Sequence, residues 1–193
     1  MPMAEGPHLS LLLEAITIEG RGHRALLDGD EVTARANLKD ASQRYRESWE
    51  VAPPASFGRL IGMLKAAVIA GDASAEAACA QAEIPRDAQS APASYARAIV
   101  ALVQGHDADA RSAAAGMRSG SPAFGRAADA ITALADRDAD AYADAVAAIV
   151  ADFEGREQHL TGVPIADTVL MLERFANARG MASRPVSALL PVG

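Results

Sequence analysis

Small and apolar residues recur along this chain three and four positions apart, the spacing that lines one face of an α-helix. Ala34, Leu38 and Ala41 form one such row, Ala110, Ala114 and Met117 a second, and Ala141, Ala145 and Ala148 a third. Prolines punctuate the pattern. Pro53-Pro54, Pro85, Pro92, Pro122, Pro164, Pro185 and Pro191 fall between periodic segments, where a residue without an N–H is tolerated. The pattern predicts nine helices, over residues 8–28, 30–52, 56–70, 73–83, 93–104, 107–118, 122–135, 138–158 and 164–179.

A tight turn separates many of them: Asp28-Gly29-Asp30, Ala70-Gly71-Asp72, Gly105-His106-Asp107 and Asp136-Arg137-Asp138. Gly adopts the left-handed conformation that ends one helix, and Asp caps the free amides that begin the next. The fourth copy has no Gly. Four residues before each turn stand Ala25, Ala67, Ala101 and Thr132, all small enough for helices to cross closely.

These small residues at repeated offsets, with Gly22 seven positions before the first turn, resemble the tetratricopeptide repeat and its period of about 34 residues. The resemblance covers residues 9–158, but the second unit departs from it, with Glu76 and Glu83 where small residues belong, and the family's large aromatics are mostly missing. It implies an all-α fold of antiparallel helical hairpins, about 8–52, 56–83, 93–118 and 122–158, stacked as a short α-solenoid. The segment 164–179, with Val169, Leu172 and Ala176 at helical spacing, is expected to cap that stack, because terminal repeats must shield the core. The whole chain, 1–193, is read as one domain. The run from Pro164 through Arg179-Gly180 to Ser187-Ala188-Leu189-Leu190-Pro191 also resembles the ends of helical bacterial immunity proteins, which implies antagonism of a toxin.

Composition strengthens the helical reading. Roughly a quarter of the residues are Ala, the best helix former, and only 4% are aromatic. The formal net charge of −7 disfavours nucleic acid and anionic membrane surfaces as partners. The stretch Met1 to Leu13 lacks the basic start of a secretory leader, and no apolar run approaches the roughly 20 residues of a membrane span, so a cytoplasmic location is expected. Cys79, the only cysteine, forms no intrachain disulfide and reads as a small buried apolar residue.

Several chemical motifs fail on their own requirements. Gly20-Arg21-Gly22-His23-Arg24-Ala25 matches a dinucleotide fingerprint, yet no βαβ unit surrounds it, and the glycines read as helix-packing positions. Asp136, Asp138 and Asp140 begin like a calcium loop, but Ala141 and Ala147 stand where Gly and Glu are needed. Glu19 and His23 share a helical face; two ligands do not make a zinc site, and a solvated pair is expected. No nucleophile elbow is present, so no catalytic residue, metal or cofactor is assigned.

The remaining local feature is Arg44-Tyr45-Arg46-Glu47-Ser48-Trp49, followed by Arg59 and Lys65. Arg, Tyr and Trp dominate protein-binding hot spots, which makes Arg44, Tyr45, Arg46, Trp49, Arg59 and Lys65 candidates for contacting a protein or peptide partner. Packing of Tyr45 and Trp49 between hairpins is the competing explanation. The expected function is a non-catalytic protein-protein interaction module. A small-molecule-binding domain or an enzyme would instead require groups such as Tyr95, Arg97, His106, Tyr142 and His159 to converge on one pocket. A structural homo-oligomer is the third possibility.

Overall fold

In a computed structural model that describes residues 6–191, the described residues form nine α-helices and no strand. Residues 1–5, part of the stretch read above as lacking a leader, and 192–193 lie outside the described residues. The helices are α1 (Pro7–Leu27), α2 (Glu31–Glu50), α3 (Gly58–Ala70), α4 (Ser74–Glu83), α5 (Ala91–Gln104), α6 (Asp107–Met117), α7 (Pro122–Asp136), α8 (Ala139–Glu154) and α9 (Asp167–Ala178). From α1 to α8 each helix packs on the next, and α5 also packs on both α3 and α7. That pattern is a stack of helical hairpins with one row of helices side by side. No described helix is long and apolar enough to cross a membrane.

The turns work largely as the sequence implies. Gly29, Gly71 and Gly105 all have positive φ, and Arg137 takes the same left-handed conformation in the turn that lacks Gly. Asp30 and Asp138 cap α2 and α8 by accepting from the amides of Thr33 and Ala141, each at 3.0 Å. Asp107 departs from this scheme. His106 holds the cap position of α6, and the Asp107 carboxylate instead receives Arg137 at 2.9 Å and Arg179 at 2.7 Å. Asp72 likewise lies before the cap residue Ala73, accepting from the Ser74 amide at 3.1 Å.

One continuous core runs through the stack. Leu38, Leu60, Met63, Leu64, Ile99, Ile131, Leu134 and Leu172 are fully buried within it. Two of the three expected rows are buried, Ala34, Leu38 and Ala41 on α2 and Ala110, Ala114 and Met117 on α6. The third is not, because α8 turns Tyr142, Val146, Ile149 and Phe153 to the core and leaves Ala141 and Ala148 exposed. Cys79 is half-buried rather than enclosed.

Two boundaries near the C-terminus differ from expectation. Helix α8 ends at Glu154, not 158, and α9 begins at Asp167, not at Pro164. The residues between them form a non-helical strap that buries Val163 and Ile165 on alternate positions while Pro164 stays exposed. Helical periodicity cannot register a segment that packs in extended form. Helix α9 packs on α7 and α8, as a cap would, and also on α3, so it lies across the row of α3 and α7. The tail then turns back, and the Ala166 amide at the end of the strap donates to the Leu189 carbonyl at 2.9 Å.

Candidate functional site

Where α1, α2, α3, α9 and the strap meet, the core contains charge. One turn of α1 places Glu19 and His23 on the same face, and both are buried, 3% and 1% exposed. The expectation of a solvated pair therefore fails. The strap and α9 cover a face of α1 that the sequence alone leaves open. Gly20 permits this: a Cβ there would stand 2.9 Å from the Thr161 carbonyl oxygen. Gly22, two residues on, faces α2, where a Cβ would meet the Leu38 side chain. Both glycines of the fingerprint-like motif are thus sites of close approach.

The Tyr45 hydroxyl of α2 donates to Glu19 Oε2 at 2.7 Å. Its ring lies flat enough against α3 that a Cβ at Gly62 would come within 2.8 Å of it. Lys65 of α3 meets Asp167 Oδ2 at 2.5 Å and donates to Thr168 Oγ1 at 3.0 Å. The Asp167 Oδ1 atom accepts from the Thr168 amide at 2.7 Å. On the strap side, His23 Nδ1 lies 3.2 Å from Thr161 Oγ1. His23 Nε2 has no hydrogen-bond partner, and its nearest carboxylate oxygen, Glu19 Oε1, is 3.8 Å away.

Burial sets the electrostatics. It pushes the Glu19 carboxyl up to about 7, helped by the negative charge of Asp167 and opposed by the Tyr45 hydrogen bond. It lowers the His23 imidazole to about 4. Desolvation opposes the charged forms of Lys65 and Asp167 too, but their mutual attraction wins and holds both ionised: Lys65 is raised and Asp167 lowered. Burial and the neighbouring Glu19 charge raise the Tyr45 phenol.

Small clefts open beside the cluster. One of about 260 Å³ is lined by Ile16, Glu19, Tyr45, Arg59, Lys65 and Asp167. A second, of about 170 Å³, is lined by His23, Lys65, Phe153, His159, Thr161 and Asp167. A third, of about 150 Å³, lies further along between Tyr95, Phe124, Arg126, Phe153 and Arg156. A roomier recess, about 780 Å³, lies shallow between the α1–α2 hairpin and the strap.

The residues singled out from the sequence divide between these places. Tyr45, Arg59 and Lys65 come together along the first cleft. Arg44 and Arg46 do not join them; they pair with Glu47 at 2.7 Å and Glu50 at 3.2 Å on the outside of α2. Trp49 stacks on Phe57, ring centroids 5.7 Å apart, so it contributes to hairpin packing. Of the second group, Tyr95 and His159 line separate clefts, Arg97 donates to the carbonyls of Pro85 and Ala88, and Tyr142 donates to Glu173 at 2.8 Å. His106 and Arg97 share another recess with Arg86 and Asp109, away from the other three. These five do not converge.

Asp167 and Thr168 were missed as site residues because their sequence context is that of a helix start. Only their long-range contact with Lys65 reveals the second role. No protein-family model, curated protein or solved structure matches this chain.

Proposed function

We propose that the chain is a non-catalytic binding module that engages a protein partner at the recess between α1 and the strap. The observation that carries this reading is Leu160, which is 75% exposed at the rim of that recess. Arg21 and Arg24 line the same recess, and neither forms an ion pair among the described residues. Asp28 and Asp30 line it too, so an apolar tip among charges of both signs suits a partner segment that presents an apolar residue flanked by charged side chains. The shallowness of the recess fits protein side chains better than an enclosed small molecule. At Arg44 and Arg46 a partner would first have to displace Glu47 and Glu50, and the recess requires no such exchange.

The small-molecule and enzyme readings rank lower because the polar groups they need lie apart. A toxin antagonist, the role implied by the C-terminal resemblance, is one form of such a module. The test replaces Leu160 with a photo-crosslinkable residue, and separately Val186, which is almost fully exposed elsewhere. In the native cell, position 160 should yield a discrete protein adduct that position 186 does not. The same adducts at both positions, or none at 160, would remove this reading.

A further inference from the structure

We propose that Glu19, His23 and Asp167 bind one divalent transition-metal cation, which pins α1 to the start of α9. Each offers a ligand atom, and these atoms lie within 4.8 Å of one another. In a tetrahedral site with metal–ligand bonds of about 2.0–2.1 Å, ligand atoms stand roughly 3.3 Å apart. The Glu19–His23 separation of 3.8 Å is already close to this, and a shift of about an ångström or more in side-chain position brings in the third ligand.

The independent observation is the imidazole itself. His23 is almost wholly buried, and its Nε2 has no hydrogen-bond partner. Whichever of Glu19 and His23 carries a proton, 3.8 Å is too long for a hydrogen bond between them. When Nδ1 holds the ring proton and donates to Thr161 Oγ1, Nε2 keeps its lone pair and faces the Glu19 carboxylate. A metal-bound histidine is oriented in this way, by a partner on its other ring nitrogen.

The two carboxylates have similar support. Tyr45 holds Glu19 Oε2 and leaves Oε1 toward His23; Lys65 and the Thr168 amide hold Asp167 Oδ2 and Oδ1, each of which keeps a second lone pair. Two carboxylates and one ammonium sum to a single negative charge beside a neutral imidazole, so a divalent cation fits without stranding charge of either sign in excess of one. One nitrogen and two oxygen donors suit zinc, manganese, iron or cobalt, whereas magnesium and calcium prefer oxygen alone. Positions not filled by protein fall to water from the adjoining clefts.

The test uses the full chain, stripped with a chelator and titrated calorimetrically with Zn(II), and separately with Co(II) while visible absorption is recorded. The expected result is one equivalent bound with a Kd of about 1 μM or tighter, a raised Tm, and Co(II) bands of nitrogen and oxygen ligation. His23→Gln should weaken binding more than about tenfold, and Tyr45→Phe, which removes only the outer hydroxyl, by about tenfold. Equal binding by wild type and His23→Gln would assign the metal to surface groups and overturn the proposal. So would the absence of one-equivalent binding by the wild type, or Mg(II) binding as tightly as Zn(II). The wild-type measurements decide the matter even if His23→Gln fails to fold.

Discussion

Lys65 of α3 and Asp167 of α9 meet at 2.5 Å with side chains only 12% and 18% exposed. Their attraction offsets the desolvation of both, so losing one partner leaves a buried charge unmatched. Lys65→Met is expected to destabilise the fold by about 3–5 kcal/mol in urea titration, whereas Lys65→Met with Asp167→Leu recovers most of the loss. A single variant within about 1 kcal/mol of wild type would show that solvent reaches the pair and screens it.

Glu19 and His23 predict opposing pH dependences in chelator-treated protein. The Glu19 carboxyl is raised from 4.5 to about 7, so its protonated form favours folding. That contribution is complete below about 4.5 and is lost as pH rises through 7. The His23 imidazole is lowered from 6.5 to about 4, so its neutral form favours folding. That contribution is complete above about 6.5 and is lost as pH falls through 4. Between pH 4.5 and 6.5 the two slopes oppose. Glu19→Gln should therefore gain stability with rising pH across this window, and His23→Gln should lose it, relative to wild type. Parallel curves for the two variants would contradict the assignment.

Gly20→Ala separates the strap from the helix it covers. Alanine favours the helical state of α1 by about 1 kcal/mol relative to glycine. Its Cβ, however, would press within 2.9 Å of the Thr161 carbonyl oxygen. The expected outcome is faster tryptic cleavage after Arg156, within the strap, with the far-UV helical signal unchanged. Unaltered cleavage would mean that the strap yields to the methyl group without loosening.

Arg137 carries the left-handed conformation that Gly carries in three other turns, at a φ of 60°. A non-glycine residue there costs on the order of 1 kcal/mol. Its ion pair with Asp107 is largely exposed, and Asp107 retains the buried Arg179 as a partner. Arg137→Gly should thus leave stability unchanged or raise it by up to about 1 kcal/mol in thermal melts. A loss above about 1 kcal/mol would show that the Arg137–Asp107 pair matters more than its exposure implies.

The helices and their turns were legible because both signals are local. Rows of small and apolar residues such as Ala110, Ala114 and Met117 repeat within one helix, and Asp30 caps α2 through the Thr33 amide only three residues on. The strap was not legible, since Val163 and Ile165 bury themselves without helical spacing. The charged cluster was half legible. The spacing of Glu19 and His23 on one face was plain, and Tyr45 and Lys65 were named, though as parts of an exposed binding stretch. What joins them is Asp167, whose meaning depends on α9 crossing to α3. No pattern in the residues around Asp167 encodes that distance.

Stacks of helical hairpins generally lengthen by adding units, because each unit touches only its neighbours. The return of α9 onto α3 removes that freedom here. A hairpin inserted before α7 would carry α9 out of reach of Lys65, and one removed would force it past. The array is thus held to a fixed number of units, like a belt whose buckle has a single hole.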